Sequence, residues 1–532
     1  VDNGGFGVEA QERSRITTSG SEVSGHPNNG LSLADSSAEL KGSTITDNGQ
    51  NGVLATSSIV VAVGSEVSDH PQDGLNLTDS KADLETSEVK GNRGHGIKAD
   101  SSKATIEGST IKGNDGNGLE LTASSVTAGT CQISGNGGSA VNVQNRSRVT
   151  LVGSKVTGHP RDAIVLDGSA VDLEDSEVKD NSARGIVATS GTLTVAGSLI
   201  SGHSGVGVYL EGSKADIKSS QIEGNGGQGI AATKSTIAVS DSTISGHPVE
   251  GISLDTASLD LVGSFVTENR GTGIAARDSQ ATVAGSTVSG NGSYGLDLVN
   301  SSAVVMDKSE LKGNGDIAIN TENSTVTLLD SSITDHPATG LSLKNSPASV
   351  TTSKISDNQG WGIAAQDRSA MMVTESLISN NGLGGVQLIS AVAALIGGEV
   401  SANLAAGLSL SQRSAVMVIG ATVKENRGDG IALESSSASV RGSTVSENGG
   451  LGLILKTQSV LSLYQSTVSG NGRDGVHLES SLASIRISQI VDNQGYGIFA
   501  DENSTVAGYG NTVSGNGTDL SENVPQGVTE EK

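Results

Sequence analysis

Residues 20–33 read GSEVSGHPNNGLSL, and the same pattern returns as GSTITDNGQNGVLA over 42–55 and as GSEVSDHPQDGLNL over 64–77. The three copies are evenly spaced along the chain. A fixed period of about 20–50 residues is the signature of a solenoid, in which each repeat is one unit stacked on the next. The spacing therefore predicts a stacked repeat architecture.

The repeat extends along nearly the whole chain. We anchor each copy on the serine of GS; Cys131, Gly398, Ala421 and Asn511 replace that serine in four copies. Each step between anchors is roughly 22–23 residues, within the range that is typical of solenoid repeats. The anchors are residues 21, 43, 65, 87, 109, 131, 154, 176, 198, 220, 242, 264, 286, 309, 331, 353, 376, 398, 421, 443, 466, 488 and 511.

Each repeat contains short runs in which apolar residues alternate. In the first repeat an aliphatic residue, Val23, lies two past the anchor, and Gly30 lies nine past it, followed by Leu31 and Leu33. Apolar residues two apart indicate strands, and the intervening Gly and Asn favour turns. About three short strands in each repeat predict an all-β fold, a parallel β-helix solenoid of about 23 coils.

The position five past each anchor is always Asn or His. An amide can donate to one neighbour and accept from another, so one such residue per coil predicts an internal hydrogen-bonded ladder. The predicted ladder is His26, Asn48, His70, Asn92, Asn114, Asn136, His159, Asn181, His203, Asn225, His247, Asn269, Asn291, Asn314, His336, Asn358, Asn381, Asn403, Asn426, Asn448, Asn471, Asn493 and Asn516.

Six of the eight histidines belong to this column, and they fall at least two coils apart. Two coils correspond to ~9.6 Å, too far for two of them to share one metal ion. His95 and His477 lie off the column and look isolated in the sequence. We therefore expect no metal site and no cofactor.

The charge, the apolar runs and the cysteine count of the chain exclude several classes of function. The formal net charge is −25, which disfavours nucleic acid as a partner. No apolar run reaches the ~20 residues of a transmembrane helix, so we expect no direct membrane insertion. Cys131 is the single cysteine, so no disulfide forms within the chain.

Residues 48–53 carry an NG-x-x-G-[IVL] signature, and residues 493–498 carry a related one. With these motifs and its asparagine column, the chain resembles the right-handed parallel β-helix repeat proteins, the pectin-lyase-like superfamily. The resemblance covers nearly the whole chain and implies a right-handed helix. Members include polysaccharide lyases, hydrolases, epimerases, tailspikes and adhesins, so the fold does not select a function.

No catalytic residues stand out, because the coils carry no long insertions and no convergent acid–base group is visible. Tyr294, Trp361 and Tyr496 share the position eight past the anchor. They are candidates for stacking on a glycan. The alternative, which we favour, is that an aromatic residue before glycine shields the turn.

The sequence predicts a β-helix over 1–516, which begins in the middle of a coil, and a polar tail or linker over 517–532. The leading hypothesis is a non-enzymatic structural or adhesive solenoid, a surface stalk, fibre segment or scaffold that binds a polysaccharide or protein partner, located outside the cell or on its surface. The alternatives are a carbohydrate-active enzyme on an acidic polysaccharide and a filament subunit that associates end to end.

Overall fold

A computed structural model describes residues 5–529, and these fall into two compact units that divide between Asp260 and Leu261. Each unit is a stack of right-handed coils, and each coil contributes one strand to each of three parallel sheets. We call them sheet C (the short strands after the anchor), sheet A (those after the conserved glycine) and sheet B (the longer strands that close the coil). The two units together hold about 23 coils, as the sequence predicts.

The first unit holds eleven or twelve strands of each kind. Its sheet A strands are Val8–Ala10, Leu31–Ala34, Val53–Thr56, Leu75–Thr78, Ile97–Asp100, Leu119–Thr122, Val141–Gln144, Ile164–Asp167, Ile186–Thr189, Val208–Glu211, Ile230–Thr233 and Ile252–Asp255. Its sheet B strands are Arg15–Ser19, Ser37–Lys41, Ile59–Val63, Lys81–Glu85, Lys103–Glu107, Ser125–Gly129, Arg148–Val152, Ala170–Glu174, Thr192–Ala196, Lys214–Lys218 and Thr236–Ser240. Its sheet C strands are Glu22–Ser24, Thr44–Thr46, Glu66–Ser68, Glu88–Lys90, Thr110–Lys112, Gln132–Ser134, Lys155–Thr157, Glu177–Lys179, Leu199–Ser201, Gln221–Glu223 and Thr243–Ser245.

The next sheet B strand along the chain is Ser258–Val262, and the strands of the second unit follow the same order. Its sheet A strands are Ile274–Arg277, Leu296–Val299, Ile319–Glu322, Leu341–Lys344, Trp361–Gln366, Gly384–Ile389, Leu408–Ser411, Ile431–Glu434, Leu453–Lys456, Val476–Glu479, Tyr496–Ala500 and Thr518–Leu520. Its sheet B strands are Gln280–Ala284, Ala303–Asp307, Thr325–Leu329, Pro347–Thr351, Ala370–Thr374, Val392–Ile396, Ala415–Ile419, Ser437–Arg441, Val460–Tyr464, Leu482–Arg486 and Thr505–Tyr509. Its sheet C strands are Phe265–Thr267, Thr287–Ser289, Glu310–Lys312, Ser332–Thr334, Lys354–Ser356, Leu377–Ser379, Glu399–Ser401, Thr422–Lys424, Thr444–Ser446, Thr467–Ser469, Gln489–Val491 and Thr512–Ser514.

The core of each unit is a narrow column of aliphatic side chains. Alternate residues of each strand point inward, so Leu33, Ala55 and Leu77 lie in register in successive coils and are buried. Large and small side chains alternate along this column, which lets the layers interlock. The glycine before sheet A is required by this packing, since a Cβ at Gly430 would lie 2.5 Å from Val445.

The predicted ladder is confirmed. Its residues are buried, except Asn516, which is partly exposed near the C-terminal end. In a typical rung, the backbone N–H and the Nδ2 of Asn403 both donate to Oδ1 of Asn426, at 3.1 and 2.9 Å. Nδ2 of Asn426 in turn donates to Oδ1 of Asn448 at 2.9 Å and to the Val400 carbonyl at 3.1 Å. The column thus satisfies backbone groups at the turn between sheets C and A.

The ladder histidines replace amides in two ways. His70 accepts a backbone N–H from Asn48 at Nδ1 (3.2 Å) and contacts the Ile45 carbonyl through Nε2 (3.0 Å). His336 instead lies 3.1 Å from Nδ2 of Asn314 through Nε2 and 3.0 Å from Oδ1 of Asn358 through Nδ1. Each arrangement needs one ring nitrogen without a proton. Burial lowers the pKa of His70, and it lowers the pKa of His336 to about 4.

Two serine columns complete the corners of the coil. At the turn from sheet B to sheet C the anchor serines form one column, in which the Ser443 N–H donates to Oγ of Ser466 at 3.2 Å. At the turn from sheet A to sheet B the Ser58 N–H donates to Oγ of Ser80 at 3.0 Å. The anchor serine that marks the repeat in the sequence is therefore a hydrogen-bonding residue in its own right.

Residues 517–529, predicted as a polar tail or linker, pack against the last coils. Thr518–Leu520 pairs in parallel with Tyr496–Ala500, and a short 3₁₀ helix, Gln526–Val528, follows. Val524 and Val528 are buried, and the Val528 carbonyl accepts a hydrogen bond from Asn511 (2.8 Å). A few apolar residues within a polar segment therefore suffice to cover this end of the core. Residues 530–532 lie outside the described residues.

Within residues 5–529, none of the helical structure has the length and apolar character required to span a membrane.

Candidate functional site

Of the three predicted glycan-stacking residues, one lies in an aromatic cluster. Tyr294, Trp361 and Tyr496 occupy the same column at the start of sheet A, all half-buried. They are three and six coils apart, which corresponds to ~14 and ~29 Å at the strand spacing. The three residues therefore do not form one site, and their role in glycan binding stays a prediction.

Trp361 lies against the neighbouring coil. Trp361 lies in register with Gly384 of the paired strand, and a Cβ at that glycine would overlap the indole ring. The ring therefore covers the backbone of the next turn. This geometry fits the alternative interpretation, in which an aromatic residue shields the turn.

Tyr496 belongs to an aromatic cluster on the outer face of sheet A in the second unit. The parallel register places Phe499 beside His477 of the preceding coil and Ile454 beside His477 on the other side. The rings of His477 and Phe499 stack at 4.4 Å between centroids, with 13° between their planes. Tyr496 approaches Phe499 at 5.4 Å in a tilted arrangement. The result is a partly exposed aromatic platform.

Carboxylates hold the imidazole of this platform. Nδ1 of His477 lies 2.7 Å from Oδ2 of Asp474, and Nε2 lies 3.4 Å from Oε1 of Glu479. The Tyr496 N–H donates to the other oxygen of Asp474 at 2.7 Å. Asp474 thus fixes both the imidazole and the turn that carries Tyr496.

A groove beside the platform combines apolar and charged groups. Leu451 and Ile454 form its apolar part, and Lys456, Arg473 and Gln494 contribute polar groups. Lys456 lies 3.9 Å from Glu479, at the edge of the platform. Rings that offer a flat apolar face, next to donors and acceptors, are the groups that a sugar-binding site needs.

Of this cluster, Tyr496 was predicted from the sequence, whereas His477 and Phe499 were not. The prediction that His477 is isolated is wrong, since His477 contacts Asp474 and stacks on Phe499. Both rings stand eleven residues past their anchors, at the outward position of sheet A. Aligning the outward columns as well as the inward ones would have paired them.

The structure also shows a second polar column, in the first unit. Oδ1 of Asn51 accepts the Asp73 N–H at 3.0 Å, and Oδ1 of Asp73 accepts the His95 N–H at 2.8 Å. Nδ1 of His95 accepts the Asn117 N–H at 3.0 Å. His95 is therefore also a bonded residue, which corrects its interpretation as isolated. These partners tie successive turns together at the start of sheet A.

Comparisons with known proteins agree with this fold. The family described as "Right handed beta helix region" matches residues 73–218, 206–352, 339–459 and 393–527. Residues 1–138 also match the family described as "Periplasmic copper-binding protein (NosD)". No curated protein matches the chain.

Several solved structures are similar in fold. The A-module of the mannuronan C-5 epimerase AlgE4 of Azotobacter vinelandii is 15% identical, with 65% of this chain and 91% of that chain covered and a TM-score of 0.31. The periplasmic alginate epimerase AlgG is 13% identical, covering 69% and 78%, with a TM-score of 0.26. A tailspike of E. coli bacteriophage HK620 in complex with a pentasaccharide is 7% identical, covering 76% and 73%, with a TM-score of 0.24.

The His and Cys side chains within residues 5–138, which could bind a metal ion, do not fit a copper site. His26 and His70 are buried in the ladder, and Nδ1 of His95 accepts a backbone N–H. The Cys131 thiol is buried against the Ile106 carbonyl (3.3 Å), and burial raises its pKa to about 11. Within residues 5–529, no three His, Cys, Asp or Glu side chains are arranged to hold a metal ion.

The chain has parallel coils of nearly constant length and an inward column of amides and imidazoles. The family match spans residues 73–527. The chain therefore belongs to the right-handed parallel β-helix family.

Proposed function

We propose that this chain is a binding solenoid that takes a carbohydrate on the aromatic platform of its second unit. The observation that carries the proposal is the stack of His477 on Phe499 beside Tyr496, with carboxylates at its edge. The C–H face of a sugar ring packs on the aromatic rings, while its hydroxyls donate to Glu479. Residues 1–138 match a family described as periplasmic, which supports a location outside the cytoplasm.

The regular coils suit a scaffold. The even spacing of the anchors leaves no long loops to enclose a substrate, so the platform stays open to solvent. An open platform binds part of a long polymer without a closed pocket. A polysaccharide or a glycosylated protein is therefore the partner class we propose, and end-to-end association of solenoids remains a further option.

The test is a glycan array followed by calorimetry with the best ligand. Phe499→Ala should weaken binding about tenfold, because a buried aromatic contact contributes ~1 kcal/mol or more. Phe265→Ala is the matched control, since Phe265 is 50% exposed on sheet C, away from the platform. Equal affinity for both variants would contradict the platform as the binding site.

A second candidate function is a carbohydrate-active enzyme. It is favoured by the 2.7 Å contact between His477 and Asp474, because a histidine oriented by a carboxylate is suited to proton transfer. Wild type should then cleave or epimerise a uronic-acid polymer, and His477→Ala should abolish turnover. Binding without turnover by wild type would select the scaffold.

A further inference from the structure

Part of the second unit is almost free of charge. Between Glu375 and Arg413, Glu399 is the single charged residue, whereas the average composition of the chain (17% charged) would place about six there. The chain as a whole carries −25. Such a gap in an acidic surface marks a place where a neighbour can approach without repulsion.

The outer face of sheet B in this region is apolar. Strands Ala370–Thr374, Val392–Ile396 and Ala415–Ile419 lie side by side, and alternate residues of each point outward. Met372, Val392 and Met417 are 48%, 48% and 45% exposed. The outward residues of the three strands are Ala370, Met372, Thr374, Val392, Ala394, Ile396, Ala415, Met417 and Ile419. A contiguous apolar face of this kind marks an interaction surface.

The middle outward position alternates between large and small residues. Met372 is followed by Ala394 in the next coil, then by Met417 and Ser439. A two-fold axis that runs parallel to the strands, between the coils of Ala394 and Met417, sets each methionine opposite a small residue. Met417 then faces Ala394, and Met372 faces Ser439.

The neighbouring columns obey the same symmetry. In the first outward position, Val392 faces Ala415 across the axis, and in the third, Ile396 faces Ile419. The face is therefore complementary to itself. We propose that it binds the same face of a second copy of this chain, forming a two-fold dimer through sheet B.

The size of the face sets the strength of this dimer. The four strands related by the axis, from Ala370–Thr374 to Ser437–Arg441, lie ~4.8 Å apart, and five residues at ~3.3 Å along each give a face of about 320 Å² per copy. Stable interfaces bury ~800 Å² per partner, so the dimer is weak and depends on concentration. Two chains of charge −25 also repel each other at long range, so added salt should strengthen the dimer.

Sedimentation velocity of the full chain from 5 to 500 µM tests the proposal. Wild type should move from monomer to dimer mass across this range, at lower concentration in high salt. Met417→Glu should raise the dissociation constant at least tenfold, because it places a carboxylate at the centre of the face. The change is compatible with folding, since Asp83 and Asp172 occupy the equivalent outward position in other coils.

Val305→Glu is the matched control. Val305 points outward at the same middle position of sheet B, is 40% exposed, and lies three coils before Met372. The Val305→Glu variant should dimerise as wild type does. A wild type that stays monomeric at 500 µM, whatever other partner it binds, would overturn the proposal, and so would a Met417→Glu variant that dimerises normally.

Discussion

Replacing one ladder amide by an isosteric apolar residue probes the fold at its most specific point. Asn426 is buried within the second unit, and its side chain makes four hydrogen bonds. Asn426→Leu keeps the volume of the side chain nearly unchanged but removes its donors and its acceptor. The substitution therefore separates hydrogen bonding from packing.

The cost follows from the groups left without partners. The Asn403 N–H loses its acceptor at 3.1 Å, and a buried donor without a partner costs ~1–3 kcal/mol. The Val400 carbonyl also loses the Nδ2 donor at 3.1 Å, a net contribution of ~1 kcal/mol. We expect a loss of about 3 kcal/mol in the local free energy of unfolding.

Hydrogen exchange read at single residues is the suitable assay, because a solenoid opens locally and a single transition does not report one rung. The Asn403 amide should exchange about a hundredfold faster in Asn426→Leu. Asn320→Leu makes the same change at an outward amide, whose Nδ2 contacts Asp297 at 2.8 Å, and should have little effect. Unchanged protection of the Asn403 amide would refute the reasoning.

Two further outcomes are expected in the second unit. Burial lowers the pKa of His336 to about 4 from an unperturbed 6.5, so the unfolded chain binds a proton at a pH where the folded chain does not. The local free energy of unfolding around His336 should therefore fall by about 3 kcal/mol as the pH drops from 6.5 to 4. In His336→Asn, which restores an amide rung, hydrogen exchange in the neighbouring coils should show this part of the acid loss removed, and an identical pH profile would contradict the neutral imidazole. Gly430→Ala should lower the local free energy of unfolding strongly, because its Cβ would lie 2.6 Å from the Gly452 carbonyl oxygen. Gly442→Ala, with open space around it but a φ of +56°, should cost only ~1 kcal/mol. Equal losses of protection against hydrogen exchange in the two variants would contradict the tight turn.

The inward positions made the fold predictable. The positions of Val23, Gly30 and His26 hold an aliphatic residue, a small residue and an amide or imidazole in nearly every coil. Each of these residues packs against its counterparts in the neighbouring coils, so only one kind of side chain is tolerated and the period stays visible. The same constraint explains why the anchor serines are so regular, although their hydrogen bonds were not anticipated. The positions that point inward can therefore be predicted from the period of the repeat alone.

The outward positions were less predictable. His477 and Phe499 differ from the residues at the same position in other coils, so no repeat marks them, and only the register of their strands brings the rings together. Val524 and Val528 were missed for a related reason, since they lie beyond the last repeat in a polar segment. A site formed by exceptions to a repeat becomes visible when outward columns are compared coil by coil.

The most direct test of the stacked ladder is a crystal structure at a resolution that places the amide groups. It should show Nδ2 of Asn403 about 2.9 Å from Oδ1 of Asn426, with Asn448 one coil further and all three side chains buried. Asparagines that face solvent, or that lie in coils that are not adjacent, would contradict the inward ladder and the β-helix built on it.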